Sequence, residues 1–293
     1  MQYKLKKISG DASFREFYRL YSGSKTSIIV SAKKEKYKNL FVYSAINQIL
    51  NNNKILAPKL IKSFFKKGII EISDFGKLSL YDVLRKKKNK KIEYKNVIKL
   101  LAKIQKIKFK EKYIFKKKKI IIEKYNINNL HKESDLFFDW YLKSVLTQKK
   151  FKFFKPLIKR ELNLIYKKIF FKNNFFTHRD FHVSNIMVHK KKFGVIDNQD
   201  AILGNPFYDV ASLIDDVRIK TTTNLKKDLF NIYLNTRPRL RKNIKESISD
   251  FHILSVQRNL KILGIFVRLN LRDNKQKYLK YLPHTWKLIE MRM

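Results

Sequence analysis

The chain has 293 residues, 44% of them hydrophobic and 14% aromatic, which is enough to bury a sizeable core in one large domain or two lobes. It contains no cysteine, which excludes disulfides, thiolate metal sites and a cysteine nucleophile and fits a reducing cytoplasm. The formal charge of +43 points toward nucleic acid less than its size suggests, because the lysines are scattered over every segment instead of forming the patch or stripe of a nucleic-acid binder. Lysine far outnumbers arginine, Asn, Ile, Phe and Tyr are abundant, and Gly (7) and Pro (5) are scarce; that joint skew reads as codon drift.

In chain order, the basic start Met1–Lys7 is followed by Ile8-Ser9-Gly10-Asp11 and not by an apolar stretch, so no signal peptide is expected. Residues 14–20 and 26–31 read as strands joined by a Ser22-Gly23-Ser24 turn. Phe41, Ala45, Ile46, Ile49 and Leu50 recur at helical spacing, and the apolar segment Gly68–Ile72 leads into Ser73-Asp74-Phe75-Gly76. Helical patterns then dominate over 93–107, 134–147, 156–170, 206–218, 225–235 and 244–269, interrupted by a short strand pair around 175–197. Lysine runs at 86–91 and 116–119 read as solvated connectors or helix edges. The longest apolar runs, Ile120–Ile122 and Ile262–Val267, fall far short of the ~20 residues that cross a bilayer, so no membrane partner is expected.

The segment richest in chemistry is His178-Arg179-Asp180-Phe181-His182-Val183-Ser184-Asn185, the H-R-D-x-x-x-x-N spacing of a kinase catalytic loop. Apolar Ile186-Met187-Val188, a polar turn at His189–Lys192 and Phe193-Gly194-Val195-Ile196 predict a hairpin whose open end brings Asn185 and Asp197 together. An amide and a carboxylate at one point suit Mg²⁺, whose octahedron substrate phosphates and waters complete. Asp180, five residues before Asn185, is placed to accept the proton of an acceptor hydroxyl. Singly, these residues read as a loop carboxylate, a turn former and a strand-end cap; the ordered set carries the catalytic reading. His178 is expected to be structural, while Arg179 and His182 either touch substrate or order the loop. Asp74-Phe75-Gly76 spells the kinase metal motif but precedes the catalytic loop and is read as a hinge. Asp197 is followed by Asn198-Gln199 instead of Phe-Gly, and no A-P-E segment follows, which argues against an ordinary protein kinase.

At these residues the chain resembles the aminoglycoside phosphotransferase/choline kinase family, and within it the bacterial anomeric kinases of N-acetylmuramate and N-acetylglucosamine that serve cell-wall recycling. The blocks that carry the resemblance are Gly10-Asp11-Ala12-Ser13-Phe14-Arg15, Leu136–Tyr141, His178 through Asp197-Asn198-Gln199-Asp200-Ala201 to Leu213, and Gln257–Phe266 continuing to Leu282-Pro283. The resemblance implies an α+β, bilobal protein-kinase-like fold, with a small β-rich N-lobe over 1–75 that binds nucleotide and a large helical C-lobe over 76–293. It implies ATP and Mg²⁺, a small amino-sugar acceptor, a cytoplasmic location and no specific nucleic-acid partner. Gly10, Asp11, Ala12, Ser13 and Phe14 would cover the ATP phosphates through backbone N–H groups; an ordinary Asp/Ser turn is the plainer reading. Asp209 would anchor the catalytic loop, and Gln199 and Asp200 would face the sugar. Trp140 and Tyr141 either stack on a pyranose or fill core, and Arg258 either pairs with an anionic substrate group or snorkels.

The lysine that clamps the phosphates in such folds has no clear counterpart: Lys33 and Lys34 lie beyond the apolar part of their strand, and the helix at 39–52 has no acid to pair with. Whether Lys33, Lys34 or another cation takes that place stays open. So do a kinase for choline, homoserine or an aminoglycoside, and an inactive kinase-fold binding module.

Overall fold

The computed structural model describes residues 3–8, 15–32 and 38–293, which divide into two units. The first comprises the described residues up to Lys88 together with Lys110–Ile122 and Val183–Ala201. Its centre is an antiparallel sheet of β1 (Tyr3–Ile8), β2 (Glu16–Ser22), β3 (Lys25–Ser31), β4 (Leu60–Phe64) and β5 (Ile69–Ser73), in the order β1-β2-β3-β5-β4. Ser22 pairs with Lys25 across a two-residue turn, and Gly23 supplies the positive φ (57°) that so tight a connection needs. Period-two alternation puts Val30, Ile70 and Ile72 on one face, where Leu40 and Tyr43 of helix α1 (Lys38–Asn52) close the cluster. Strand β1 escapes sequence reading because nearly all of it is exposed, so it carries no apolar alternation.

A second stripe of α1, Phe41 and Ala45, packs on Phe115 and Ile120 of the hairpin formed by Lys112–Phe115 and Lys118–Ile121. Lys116 and Lys117 form its turn with φ of 45° and 62°. The lysine run at 116–119 is therefore a turn leading into a strand, not a connector or helix edge. Four-residue strands with one buried residue each are too short to show a period.

The second unit comprises Asn89–Phe109, Glu123–His182 and Ile202–Met293 and is mostly helical. Its spine is the 30-residue helix Ile244–Asp273, against which Ile127–Leu136, Tyr208–Ile214 and Leu282–Glu290 pack. Gly264 sits where a Cβ would lie 2.1 Å from the Leu136 carbonyl oxygen, so any side chain there would push the Leu136–Phe137 backbone off the spine. Helix Ile127–Leu136 continues into a π-helical turn, Phe137–Leu142. Two strand pairs replace the single pair expected near 175–197: Ile186–His189 with Lys192–Val195 in the first unit, and Phe175–Thr177 with Ile202–Gly204 in the second. An N-terminal sheet region followed by a helical region is the α+β layout read from the sequence. No described helix is long and apolar enough to cross a membrane.

Candidate active site

In the first unit the hairpin pairs Val195 with Ile186 and turns through Lys190 and Lys191 at φ of 47° and 63°. A Cβ on Gly194 would meet the Phe75 ring at 2.9 Å and the Leu56 side chain at 3.0 Å, so the hairpin can lie flat only with glycine there. Val195 N–H donates to Leu56 O at 2.9 Å and Val188 N–H to Leu78 O at 2.8 Å. Phe75, the middle residue of Asp74-Phe75-Gly76, thus underlies the hairpin. Asp74 is bound by Arg19, with Nε to Oδ2 at 2.6 Å and Nη2 to Oδ1 at 3.1 Å.

Beyond the paired residues, Ile196 N–H donates to Asn185 O at 3.0 Å, closing the open end and placing Asn185 and Asp197 there together. Asp197 has φ 66°, its side chain is 40% exposed, and Arg15 Nη1 stands 3.8 Å from its Oδ1. The next residue turns inward: Asn198 is buried, and its Nδ2 donates to Asn47 Oδ1 on α1 at 2.7 Å. Gln199 Nε2 donates to Asp200 Oδ2 at 3.1 Å, with Asp200 exposed. One amide and one half-open carboxylate at a shared end are the donors magnesium uses beside substrate phosphates, so the residues present fit that ion. Gly10–Phe14, Lys33 and Lys34 lie outside the described residues.

The second unit holds the H-R-D segment. Arg179 takes φ 72°, a conformation that surrounding bonds must hold. Asp209, buried at the start of helix Tyr208–Ile214, accepts from His178 N–H at 2.7 Å and Arg179 N–H at 3.1 Å. Burial pushes the Asp209 carboxyl up to about 6, against the pull of His178 and of both N–H donors. His178 is itself buried, and its Nδ1 accepts from Asp180 N–H at 3.3 Å. Burial would raise Asp180, but Lys261, His182, Arg258 and His178 outweigh it and hold the carboxyl well below the usual carboxylate range. Burial, reinforced by the charge of Arg218, pushes His182 down to about 3 and keeps it neutral.

Glu133 ties this loop to the spine. It receives Arg179 Nε at 3.1 Å, Tyr208 Oη at 2.6 Å, Gln257 Nε2 at 3.1 Å and Lys261 Nζ at 3.3 Å. Burial raises its pKa, yet the charges of Lys261 and Arg179 prevail and hold it at about 2. Sequence reading missed Glu133. The available signal is an acid between Leu130 and Phe137 at helical spacing, since a charge on an apolar stripe implies a buried partner. Because the folded pKa is depressed, the carboxylate contributes stability above its ordinary value of 4.5, and that contribution is lost as pH falls toward about 2. Glu133→Gln should therefore cost about 3 kcal/mol at pH 7, since it takes the buried carboxylate away from the partly buried Arg179 and Lys261, and the deficit should shrink on acidification below pH 4. Chemical denaturation of both proteins across pH checks this; a deficit that does not change with pH contradicts it.

Arg258, 3% exposed on the spine, leaves Nη1 buried with no hydrogen-bond partner among the described residues. Trp140 and Tyr141 lie half-buried on the π turn. The Tyr141 ring stacks on Phe137 at 5.5 Å, and its hydroxyl accepts Trp286 Nε1 at 2.7 Å. The structure thus brings Asn185, Asp197, Gln199 and Asp200 to one end of the hairpin in the first unit. In the second it gathers Asp180, His178, Asp209 and Arg258 about the catalytic loop.

Comparison with known proteins follows this geometry. Residues 4–242 match the sequence model of the phosphotransferase enzyme family, APH. A relative from Pseudomonas aeruginosa named N-acetylmuramate/N-acetylglucosamine kinase is 26% identical over 286 residues, covering 96% of this chain and 81% of the relative. Among solved structures, a Plasmodium vivax ethanolamine kinase superposes with a TM-score of 0.67 at 15% identity, over 99% of this chain and 84% of that one. The ADP-bound aminoglycoside phosphotransferase APH(2'')-Ib gives 0.56 at 14% identity, over 98% and 92%. At these identities the solved structures show a shared kinase-like fold.

Proposed function

This chain belongs to the phosphotransferase enzyme family, and from that premise we propose that it transfers the γ-phosphoryl group of ATP to the anomeric hydroxyl of N-acetylmuramate, N-acetylglucosamine or both. The observation that carries the choice of acceptor is the charge around Asp180. The groups acting on it most strongly are Lys261, His182, Arg258 and His178, two of them permanent cations. Choline or an aminoglycoside would bring a further positive charge to that loop, whereas an N-acetylated sugar is neutral and muramate adds a lactyl carboxylate. The buried, unmatched Nη1 of Arg258 suits such a carboxylate. The name of the Pseudomonas relative, which aligns over nearly the whole chain, supports the same acceptor.

In this reading Asp180 accepts the proton of the sugar hydroxyl as its oxygen bonds to the γ-phosphorus. The bond to the β-phosphate oxygen breaks, and ADP leaves. Asp180 is ionised throughout the neutral range and so is ready to accept that proton. Asp209 holds the loop by its two N–H bonds, and Glu133 holds Arg179, so Asp180 is presented on a fixed backbone. Asn185 and Asp197 would hold magnesium, which when bound neutralises charge on the phosphates. Rates measured with Mg-ATP and a panel of N-acetylmuramate, N-acetylglucosamine, choline, homoserine and kanamycin test the acceptor. We expect kcat/KM for at least one N-acetylated sugar to exceed that for each cationic acceptor by about 100-fold, the discrimination that mismatched buried charge gives. A preference for choline or kanamycin would keep the enzyme class and discard the sugar.

A further inference from the structure

Kinase-like folds need a cation on the nucleotide's α- and β-phosphates, and among the described residues the strand that would carry a lysine has only Lys25, exposed at the turn end and paired with Ser22. The rest of β3 is Thr26, Ser27, Ile28, Ile29, Val30 and Ser31. Helix α1 carries no acid at all; its Tyr43 and Asn47 are buried, and Asn47 accepts from Asn198 beside Asp197. An amide–amide bond thus joins α1 to the residue after Asp197, and α1 offers no carboxylate to fix a lysine of the neighbouring strand.

Among the described residues of the first unit, two cationic side chains are buried, Arg15 and Arg19. Arg19 lies against Asp74: its Nε and Nη2 bind both carboxylate oxygens, and Nη2 also binds Gly76 O at 2.9 Å. Arg15 is placed differently. It enters β2 directly after the Gly10–Phe14 segment, its side chain is 6% exposed, and Nη1 stands 3.8 Å from Asp197 Oδ1. Burial is the main cause that raises the Tyr43 pKa, and the charges of Asp197, raising it further, and of Arg15, lowering it, also reach it, so all three share one corner of the unit. Building on the ATP reading above, we propose that Arg15 is the phosphate-binding cation of this enzyme, its guanidinium gripping the nucleotide's phosphates beside the Asp197 end of the hairpin. The chemistry of a guanidinium suits that role, since it is charged at every working pH and offers a planar fork of donors to phosphate oxygens.

A rival role gives the opposite sign. If Arg15 merely neutralises Asp197, its removal frees that carboxylate and should tighten Mg-ATP binding. If Arg15 grips phosphate, removal should weaken it. The experiment is equilibrium titration of wild type, Arg15→Gln and Arg15→Lys with Mg-ATP, Mg-ADP and adenosine, with thermal unfolding of each protein alongside. We expect Arg15→Gln to weaken both nucleotides about tenfold or more, the loss of one charge-assisted contact, with adenosine unchanged and Arg15→Lys intermediate. Unchanged or tighter Mg-ATP binding by folded Arg15→Gln overturns the assignment, as does failure of both variants to fold, which would make Arg15 architectural. A wild type that binds adenosine and Mg-ATP with equal strength overturns it too. A wild type that binds none of the three ligands would instead sink the ATP reading on which this inference rests.

Discussion

Asp180→Asn is expected to lower kcat by about 10³-fold, within the range that one positioned general base contributes, while Mg-ATP affinity stays within a few-fold of wild type. The substitution keeps shape and hydrogen-bonding length but removes the proton acceptor. The fold should survive, because the loop is held by bonds that Asp180 does not make: His178 and Arg179 N–H to Asp209, and Arg179 Nε to Glu133. Losing a carboxylate beside Lys261 and Arg258 leaves those cations less compensated, so a modest drop in unfolding temperature is also expected. Since Asp180 sits well below the usual carboxylate range, the wild-type rate should show no acidic limb from it between pH 5 and 8. A limb near pH 6 would report Asp209, which burial raises to about 6. Rates of the purified variant at saturating acceptor decide the point, and near-normal turnover would remove Asp180 from the mechanism.

Asp197→Asn should be almost as damaging, with turnover down by about 10²-fold or more, but the loss should arise at a different step. The carboxylate is the anionic member of the Asn185–Asp197 pair, and an amide in its place leaves a neutral donor set for a dication. Nucleotide binding should then lose its dependence on magnesium: wild type should bind ATP more tightly as Mg²⁺ is added, and the variant should not. The variant also takes the negative charge away from Arg15, 3.8 Å distant, so metal-free ATP should bind the variant at least as well as it binds wild type. Titrating ATP into each protein with and without Mg²⁺ separates these effects, and an unaltered magnesium dependence would contradict the metal assignment.

Much of this architecture was legible in the sequence, for identifiable reasons. The hairpin could be read because two short apolar runs flank a polar turn, and the geometry of any hairpin then puts Asn185 and Asp197 at one end. Helix α1 was legible from Phe41, Ala45, Ile46, Ile49 and Leu50, all of them buried except the half-buried Ile49. Asp209 has no local signature as an anchor and was reached only through family resemblance. Glu133 was not read at all, because its meaning lies in partners 46, 75, 124 and 128 residues away: Arg179, Tyr208, Gln257 and Lys261. Arg15 was visible only as the last letter of a motif. Its ion-pair distance to Asp197 depends on the β2 entry and the hairpin end meeting, which no local pattern encodes. Buried charge pairs between distant segments are the class of interaction that periodicity cannot reveal, and here they surround the catalytic residues.

The most direct test of phosphoryl transfer to an anomeric hydroxyl is the position of phosphorus in the product. Wild-type protein, Mg-ATP and each N-acetylated sugar are incubated together, and the product is examined by phosphorus–proton correlation NMR. The account predicts phosphorus coupled to the anomeric proton, in a product that no longer mutarotates and is absent with Asp180→Asn. Phosphorus on the C6 oxygen, or no transfer to either sugar by protein that binds Mg-ATP, would contradict it.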